Sequence, residues 1–312
     1  MSSASATGTR NGPANRESDA GEAGKLWTVL DLLRWTTSHF SERGCDSPRL
    51  DAECLLAHAL GVERLALYTG FERPVNPEER AAFRDLVLRR ARDRVPVAQL
   101  VGSKEFWSLP LRVTPDVLVP RPETETLVAV ALGLLPALAP GSGPVAVLDI
   151  GTGSGAVALA LASERPELHI AATDISIAAL QVARENADML GMAERVECLE
   201  GDLFEPVRGR EFAMIVSNPP YLALEERAAL APELAHEPDQ ALFGGQEGGE
   251  VLAALAAGVP EHLTPGGAAA FEIAPDQAET VSGWCREAGL LDVTQHRDLA
   301  GHPRVVSGRK GD

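Results

Sequence analysis

The sequence predicts an α/β fold, a doubly wound and mainly parallel sheet closed by an antiparallel hairpin, with a small helical domain ahead of it. Three observations carry this. From Val145 onward, short apolar runs alternate with segments of helical periodicity. The last two runs, Leu291–Arg297 and Arg304–Ser307, are joined only by Asp298-Leu299-Ala300-Gly301-His302-Pro303. That link is too short for a crossover helix, so the two must pair antiparallel. Residues 26–94, by contrast, show helical spacing and helix caps but no strand pattern.

The expected organisation has four parts: a disordered tail over residues 1–24, a helical recognition domain over 25–95, a linker hairpin over 96–120 and the α/β domain over 121–312. The tail is rich in Ser, Ala, Gly and Asn and lacks the apolar segment of a signal peptide. In the helical part, Leu26, Val29, Leu30, Leu33 and Phe40 recur at roughly helical spacing. Ser47-Pro48 reads as a cap followed by proline at the first helical position. Asn76-Pro77-Glu78-Glu79 reads as a capping box opening a helix that carries Phe83, Leu86, Val87 and Arg90.

Beyond Pro96 the period changes. Residues 106–113 and 117–119 read as short extended strands, and a helix follows from Arg121-Pro122-Glu123-Thr124-Glu125 to about Leu135. Glu123 and Glu125 suit a first helical turn because acids meet the helix dipole favourably there. Strands are expected at Val145–Ile150, His169–Thr173, Val196–Glu200, Phe212–Val216 and Ala268–Ile273. Helices are expected at Gly155–Ser163, Ile177–Leu190, Gly249–His262 and Pro275–Ala288.

The chain has 312 residues, 45% of them hydrophobic, and a formal net charge of -17. It can bury a large core, and it has no apolar run long enough for a membrane-spanning helix. Lysine occurs only at positions 25, 104 and 310. Binding to duplex nucleic acid draws mainly on neutralised phosphates, so this balance favours a protein or small-molecule substrate. Cys45, Cys54, Cys198 and Cys285 are scattered, which fits a reducing cytoplasm and gives neither a disulfide framework nor a metal site. His236 is the one histidine near the expected site, and it reads as an ordinary loop residue.

Two segments carry chemistry. Val147-Leu148-Asp149-Ile150 runs into Gly151-Thr152-Gly153-Ser154-Gly155 and then a helix. Glycines there allow a tight turn and close approach of a ligand to backbone N–H groups. Asp174, at the end of the next strand, can accept from ribose hydroxyls. Gly151, Gly153 and Ala156 fit a dinucleotide fingerprint as well as an S-adenosylmethionine site. The second segment is Ser217-Asn218-Pro219-Pro220-Tyr221 after the strand at 212–216. Two prolines cannot continue a central strand, so the chain leaves the sheet at Asn218. That sets an amide side chain and backbone carbonyls at the carboxyl end of a strand, where open α/β sheets bind ligands. Such acceptors suit a substrate –NH2, and together with the terminal hairpin they favour S-adenosylmethionine over a nicotinamide cofactor.

With these residues in place, the chain resembles class I S-adenosylmethionine-dependent amino-group methyltransferases. Within them it resembles the HemK/PrmC family of peptide chain release factor N5-glutamine methyltransferases. That likeness rests on Pro96-Val97-Ala98-Gln99, Gly102, Glu105-Phe106, Val119-Pro120 with Arg121 to Glu125, His236-Glu237-Pro238, Ala241-Leu242-Phe243-Gly244-Gly245 and the terminal Gly301-His302-Pro303-Arg304. A sister family that modifies a ribosomal-protein glutamine shares Asn-Pro-Pro-Tyr, and an adenine-N6 nucleic-acid methyltransferase could use the same acceptors.

The resemblance implies methylation of the glutamine amide in the Gly-Gly-Gln motif of release factors, in translation termination. It implies Gly151, Thr152, Gly153, Ser154, Gly155, Asp174 and Leu203 as cofactor contacts, with Asn218 shared between cofactor and substrate. Asn218, Pro219, Pro220 and Tyr221 would be the catalytic segment. Leu203 stands where many relatives carry an aromatic residue. Ala274 and Gln246-Glu247-Gly248-Gly249 also depart from the family pattern.

Overall fold

A computed structural model describes residues 26–135 and 143–312. The tail expected over residues 1–24 lies outside them. The chain divides into two compact units, Met1–Arg92 and Asp93–Asp312. No helix of the described residues is long and apolar enough to cross a membrane.

The first unit is helical: α1 Val29–Glu42, α2 Pro48–Leu60, α3 Arg64–Thr69 and α4 Pro77–Asp93. Asn76 opens α4 with the expected capping box, its Oδ1 accepting from the Glu79 N–H at 2.9 Å while Glu79 Oε2 accepts from the Asn76 N–H at 3.0 Å. Thr28 and Asp31 form a second such box at α1. Ser47 caps α2 without a side-chain bond, although Pro48 does take the first helical position. Leu33, Phe40, Leu55, Leu56, Phe83 and Val87 are buried. Leu26 instead precedes α1 and is exposed. Inside this core, Arg90 Nε donates to Asp51 at 2.8 Å, so neither charge is buried alone.

The second unit opens with a short helix, α5 Val97–Val101, and a hairpin, β1 Ser103–Phe106 and β2 Leu109–Arg112. The sequence reads 106–113 as one strand. The chain turns within it instead, because Trp107 and Ser108 both take positive φ, 51° and 59°, as a two-residue hairpin loop demands. Residues 117–119 form no strand. The hairpin expected as a linker belongs to this unit. Its Phe106 and Leu111 are buried with Leu127 and Val147 in one cluster, and Asn186 binds both the N–H and the carbonyl of Arg112.

The remaining elements are α6 Glu125–Leu134, β3 Val145–Ile150, α7 Ala156–Glu164, β4 Leu168–Asp174, α8 Ile177–Met189, β5 Val196–Glu200, β6 Phe212–Ser217, α9 Asp239–Leu242, α10 Glu250–His262, β7 Leu263–Glu272, α11 Ala278–Glu287, β8 Leu291–Arg297 and β9 Pro303–Arg309. The sheet runs β5-β4-β3-β6-β7-β9-β8. Every pairing from β5 to β7 is parallel, and β9 pairs antiparallel with both β7 and β8. α7 is apolar all round and buried from Ala156 to Ala162, as a helix covering a sheet from within a layered core should be. The strand order reverses between β3 and β6, and the ligand crevice of such a sheet opens at that point.

Candidate active site

Three backbone features build the site at the carboxyl ends of β3, β4 and β6. The first is the turn after β3. Gly151, Gly153 and Gly155 all have positive φ, at 70°, 57° and 83°, which a residue with a Cβ adopts only under strain. Gly155 is required twice over, since a Cβ there would lie 3.1 Å from Leu159 and 3.4 Å from the Ala183 methyl. The turn is pinned from below. Thr152 donates to Asp149 Oδ2 at 2.7 Å, and that carboxylate also accepts from the Ala158 N–H. Asp149 is fully buried, and burial pushes its pKa up to about 7 against those two hydrogen bonds. Asn186 holds the far side, donating to the Ser154 carbonyl at 2.8 Å.

The second feature is Asp174, the last residue of β4. One of its oxygens accepts from the Gly153 N–H at 2.8 Å and the other from Ser176 N–H at 2.9 Å. A carboxylate has about four acceptor sites, so Asp174 can hold Gly153, Ser176 and Ile175 and still accept from a ligand. Burial raises its pKa, and the backbone N–H groups of Ser176, Gly153 and Ile175 oppose that.

The third is the loop after β6. Ser217 donates to the Ile150 carbonyl at 2.7 Å, closing the sheet, and the two prolines then carry the chain out. Asn218 Nδ2 donates to Thr124 Oγ1 at 3.1 Å. Among the described residues, no donor reaches Asn218 Oδ1 or the Pro219 carbonyl oxygen. A glycine-rich strap, residues 241–249, braces the loop from behind. Leu222 N–H donates to Leu242, and Gly244 N–H donates back to Leu222. A Cβ on Gly244 would collide with the Pro220 carbonyl oxygen, and one on Gly248 would fall 2.6 Å from that of Tyr221. Gln277 donates to the Tyr221 and Gly248 carbonyls and ties strap to loop.

These features line one cavity of about 300 Å³. Gly151, Gly153, Ser154, Asp174, Leu203, Asn218, Pro219 and Pro220 all contribute to its wall. Three of the expected site residues do not. The Thr152 hydroxyl points down to Asp149, Gly155 packs on α8, and Tyr221 packs against one of the buried apolar clusters. Tyr221 is largely buried, which raises its hydroxyl pKa to about 12 and keeps it neutral. Leu203 sits in the wall with φ 46°, at the turn after β5. His236 lies apart from this wall, its ring nitrogen 2.6 Å from the Asp93 carbonyl.

Sequence reasoning passed over Asp149, Asn186, Thr124 and Glu272. All four are buried polar side chains in apolar surroundings. That is itself the signal: an acid inside the run Val147-Leu148-Asp149-Ile150, or inside Ala270-Phe271-Glu272-Ile273, must have a buried partner.

The wall suits S-adenosylmethionine. The glycine turn leaves open space above Gly153, Asp174 and Asp202 supply carboxylates for hydroxyl and amino groups, and Leu203, Val157 and Ile175 supply apolar surface. A sheet of this order, with that turn after β3 and an acceptor loop after β6, defines a class I S-adenosylmethionine-dependent methyltransferase. The solved "delta-N METTL16 MTase domain" shares the fold at a TM-score of 0.50 and 14% identity, over 76% of this chain and 97% of its own. The chain belongs to the release factor glutamine methyltransferase family. It is 42% identical to the release factor glutamine methyltransferase of Geobacter sulfurreducens over 93% of this chain and 99% of that one. It is 43% identical to that of Rhodopirellula baltica over 91% and 97%. Residues 31–102 match the PrmC N-terminal domain, and residues 133–267 match the methyltransferase small domain.

Proposed function

We infer that this protein methylates the side-chain amide nitrogen of a glutamine in peptide chain release factors, at their Gly-Gly-Gln motif, in the cytoplasm. The observation that carries the reading is the pair of open acceptors, Asn218 Oδ1 and the Pro219 carbonyl, set in the same wall as the glycine turn and Asp174. A primary amide has two N–H bonds, and two fixed acceptors match them.

When bound, S-adenosylmethionine supplies an activated sulfonium methyl group. The chain's own residues then do positional and electrostatic work. Gly151, Gly153, Ser154, Asp174 and Leu203 would hold the donor, and Asn218 and Pro219 would hold the substrate amide. An amide nitrogen is a poor nucleophile because its lone pair is delocalised into the carbonyl. As that nitrogen bonded to the methyl carbon and the carbon–sulfur bond broke, its hydrogens would gain acidity and the bonds to Asn218 and Pro219 would strengthen, one proton then passing to water. Interactions that grow toward the transition state raise the rate, whereas uniform binding does not. Pro220 and the strap behind it keep the loop rigid, and Tyr221 anchors it through apolar packing.

The helical unit, expected over residues 25–95, would recognise the folded factor and deliver its glutamine loop. Trp35, Leu65 and Tyr68 leave apolar surface exposed on that unit. The net charge of -17 supports a protein partner over direct nucleic-acid binding.

The test is transfer of a labelled methyl group to four acceptors: an intact release factor, the same factor with its motif glutamine changed to alanine, a ribosomal-protein substrate and free DNA. Label on the first alone is expected. Label on DNA or on the ribosomal protein, with none on the factor, overturns the reading. A short Gly-Gly-Gln peptide should be a much poorer acceptor than the intact factor, because remote contacts help to position the reacting group.

A further inference from the structure

The orientation of the Asn218 amide is decisive for any substrate presenting N–H groups. With Oδ1 toward the substrate the side chain accepts. Flipped, it would set –NH2 against –NH2. Something must hold one orientation, and the buried groups behind Asn218 do so.

Thr124, in the turn before α6, is 4% exposed, and Glu272, the last residue of β7, is 1% exposed. Strands β6 and β7 run parallel with Ser217 opposite Phe271, which brings the ends carrying Asn218 and Glu272 together. Asn218 Nδ2 donates to Thr124 Oγ1 at 3.1 Å, and the Thr124 hydroxyl bonds to the Glu272 carboxylate. Among the described residues, the other carboxylate oxygen of Glu272 has no hydrogen-bond partner. A hydroxyl has one proton, and above about pH 7, where Glu272 is ionised, its carboxylate can only accept. The Thr124 proton therefore goes to Glu272, Thr124 Oγ1 is left as an acceptor, and Asn218 must turn its –NH2 toward it. If the amide flipped, Thr124 would have to withdraw its proton from a buried carboxylate that has no other donor.

We propose that Thr124 and Glu272 are positioning residues that fix the Asn218 amide with its oxygen toward the substrate nitrogen. This rests on the methyl-transfer reading above for its consequence, but not for its geometry. Neither residue touches the reacting atoms, and both act through Asn218.

Thr124→Val keeps the shape and removes the hydroxyl. It should lower kcat on the release factor by about ten-fold or more, since slight misplacement of a reacting group costs up to about 10²-fold. Its dissociation constant for S-adenosylmethionine should stay within a few-fold of wild type. Thr124→Ser should restore most of the rate, and Thr124→Ala serves if the valine variant does not fold. In an Asn218→Ala background, Thr124→Val should have no further effect. A full additional loss there would show that Thr124 does not act through Asn218. A substrate-free readout separates this proposal from the functional reading. Solvent exchange of the Asn218 Nδ2 protons, followed by side-chain amide NMR, should be slow in wild type and faster in Thr124→Val. If the factor is not methylated at all, the functional reading fails while the exchange data still decide the relay. Equal exchange in both proteins overturns it.

Discussion

Arg121 and Glu237, 116 positions apart, form an ion pair of 2.5 Å that joins the turn before α6 to the loop before α9. Glu237 also accepts from the Val119 N–H, and its side chain is fully buried, whereas that of Arg121 is 35% exposed. Removing Arg121 strands a buried carboxylate. A fully buried broken pair costs about 3–5 kcal/mol, and solvent around Arg121 reduces this to about 1–3 kcal/mol. Arg121→Ala should show that loss in urea denaturation at neutral pH. Glu237→Gln added to it should recover part of the loss, because the stranded charge is then gone. A single variant as stable as wild type would show that water already reaches Glu237.

Asn218→Ala should abolish most turnover while S-adenosylmethionine binds within a few-fold of wild type. Removing one preorganised partner of a developing charge costs about 10²–10³ in rate. Single-turnover methyl transfer, with calorimetry for the donor, separates the two effects. Unchanged turnover removes Asn218 from the mechanism.

Asp174→Ala should act on donor binding instead. A hydrogen bond to a charged group contributes roughly 1.5–3 kcal/mol, about ten-fold or more in affinity. The same substitution releases the Gly153 N–H, so the turn loosens as well. Calorimetry that finds S-adenosylmethionine bound as tightly as before would refute this role.

Stability should depend on pH through Asp149 and Glu272. Burial raises both to about 7 in the folded chain, from ordinary values of 3.8 and 4.5. The folded state thus binds protons that the unfolded state has already lost. The contribution of these two groups to stability is highest below about pH 4, falls as pH rises from there to about 7, and levels off above. Asp149→Asn keeps an acceptor for Thr152 and cannot ionise, so it should make that slope shallower. Denaturant midpoints at pH 5 and pH 8 for both proteins check this. Equal differences would mean that Asp149 is solvated in the folded state.

Much of this architecture is legible in the sequence because parallel strands announce themselves as short apolar runs. Val145–Ile150, Val196–Glu200 and Leu291–Arg297 are read to the residue. The double proline and the glycine turn are legible for another reason, since proline permits few backbone conformations and glycine permits the positive φ that other residues avoid. What stays hidden depends on partners distant in sequence. Nothing near Trp107 and Ser108 announces a two-residue turn, as neither residue favours positive φ. Thr124 reads as part of a helix start until Asn218 and Glu272 arrive beside it, 94 and 148 positions later. The strap glycines are visible in the sequence, but the backbone oxygens they make room for are not.

The place of β9 bears on how the chain is made. The final strand, Pro303–Arg309, lies inside the sheet, between β7 and β8, and sets Val305 against Glu272. A chain emerging from the ribosome therefore cannot close its sheet until that last segment has been synthesised. Before then, β7 presents an open edge of unpaired N–H and carbonyl groups, a template for pairing with other chains. The acid that polarises Thr124 sits on that edge. A chain stopped short of Pro303 would leave that edge open and be prone to aggregate.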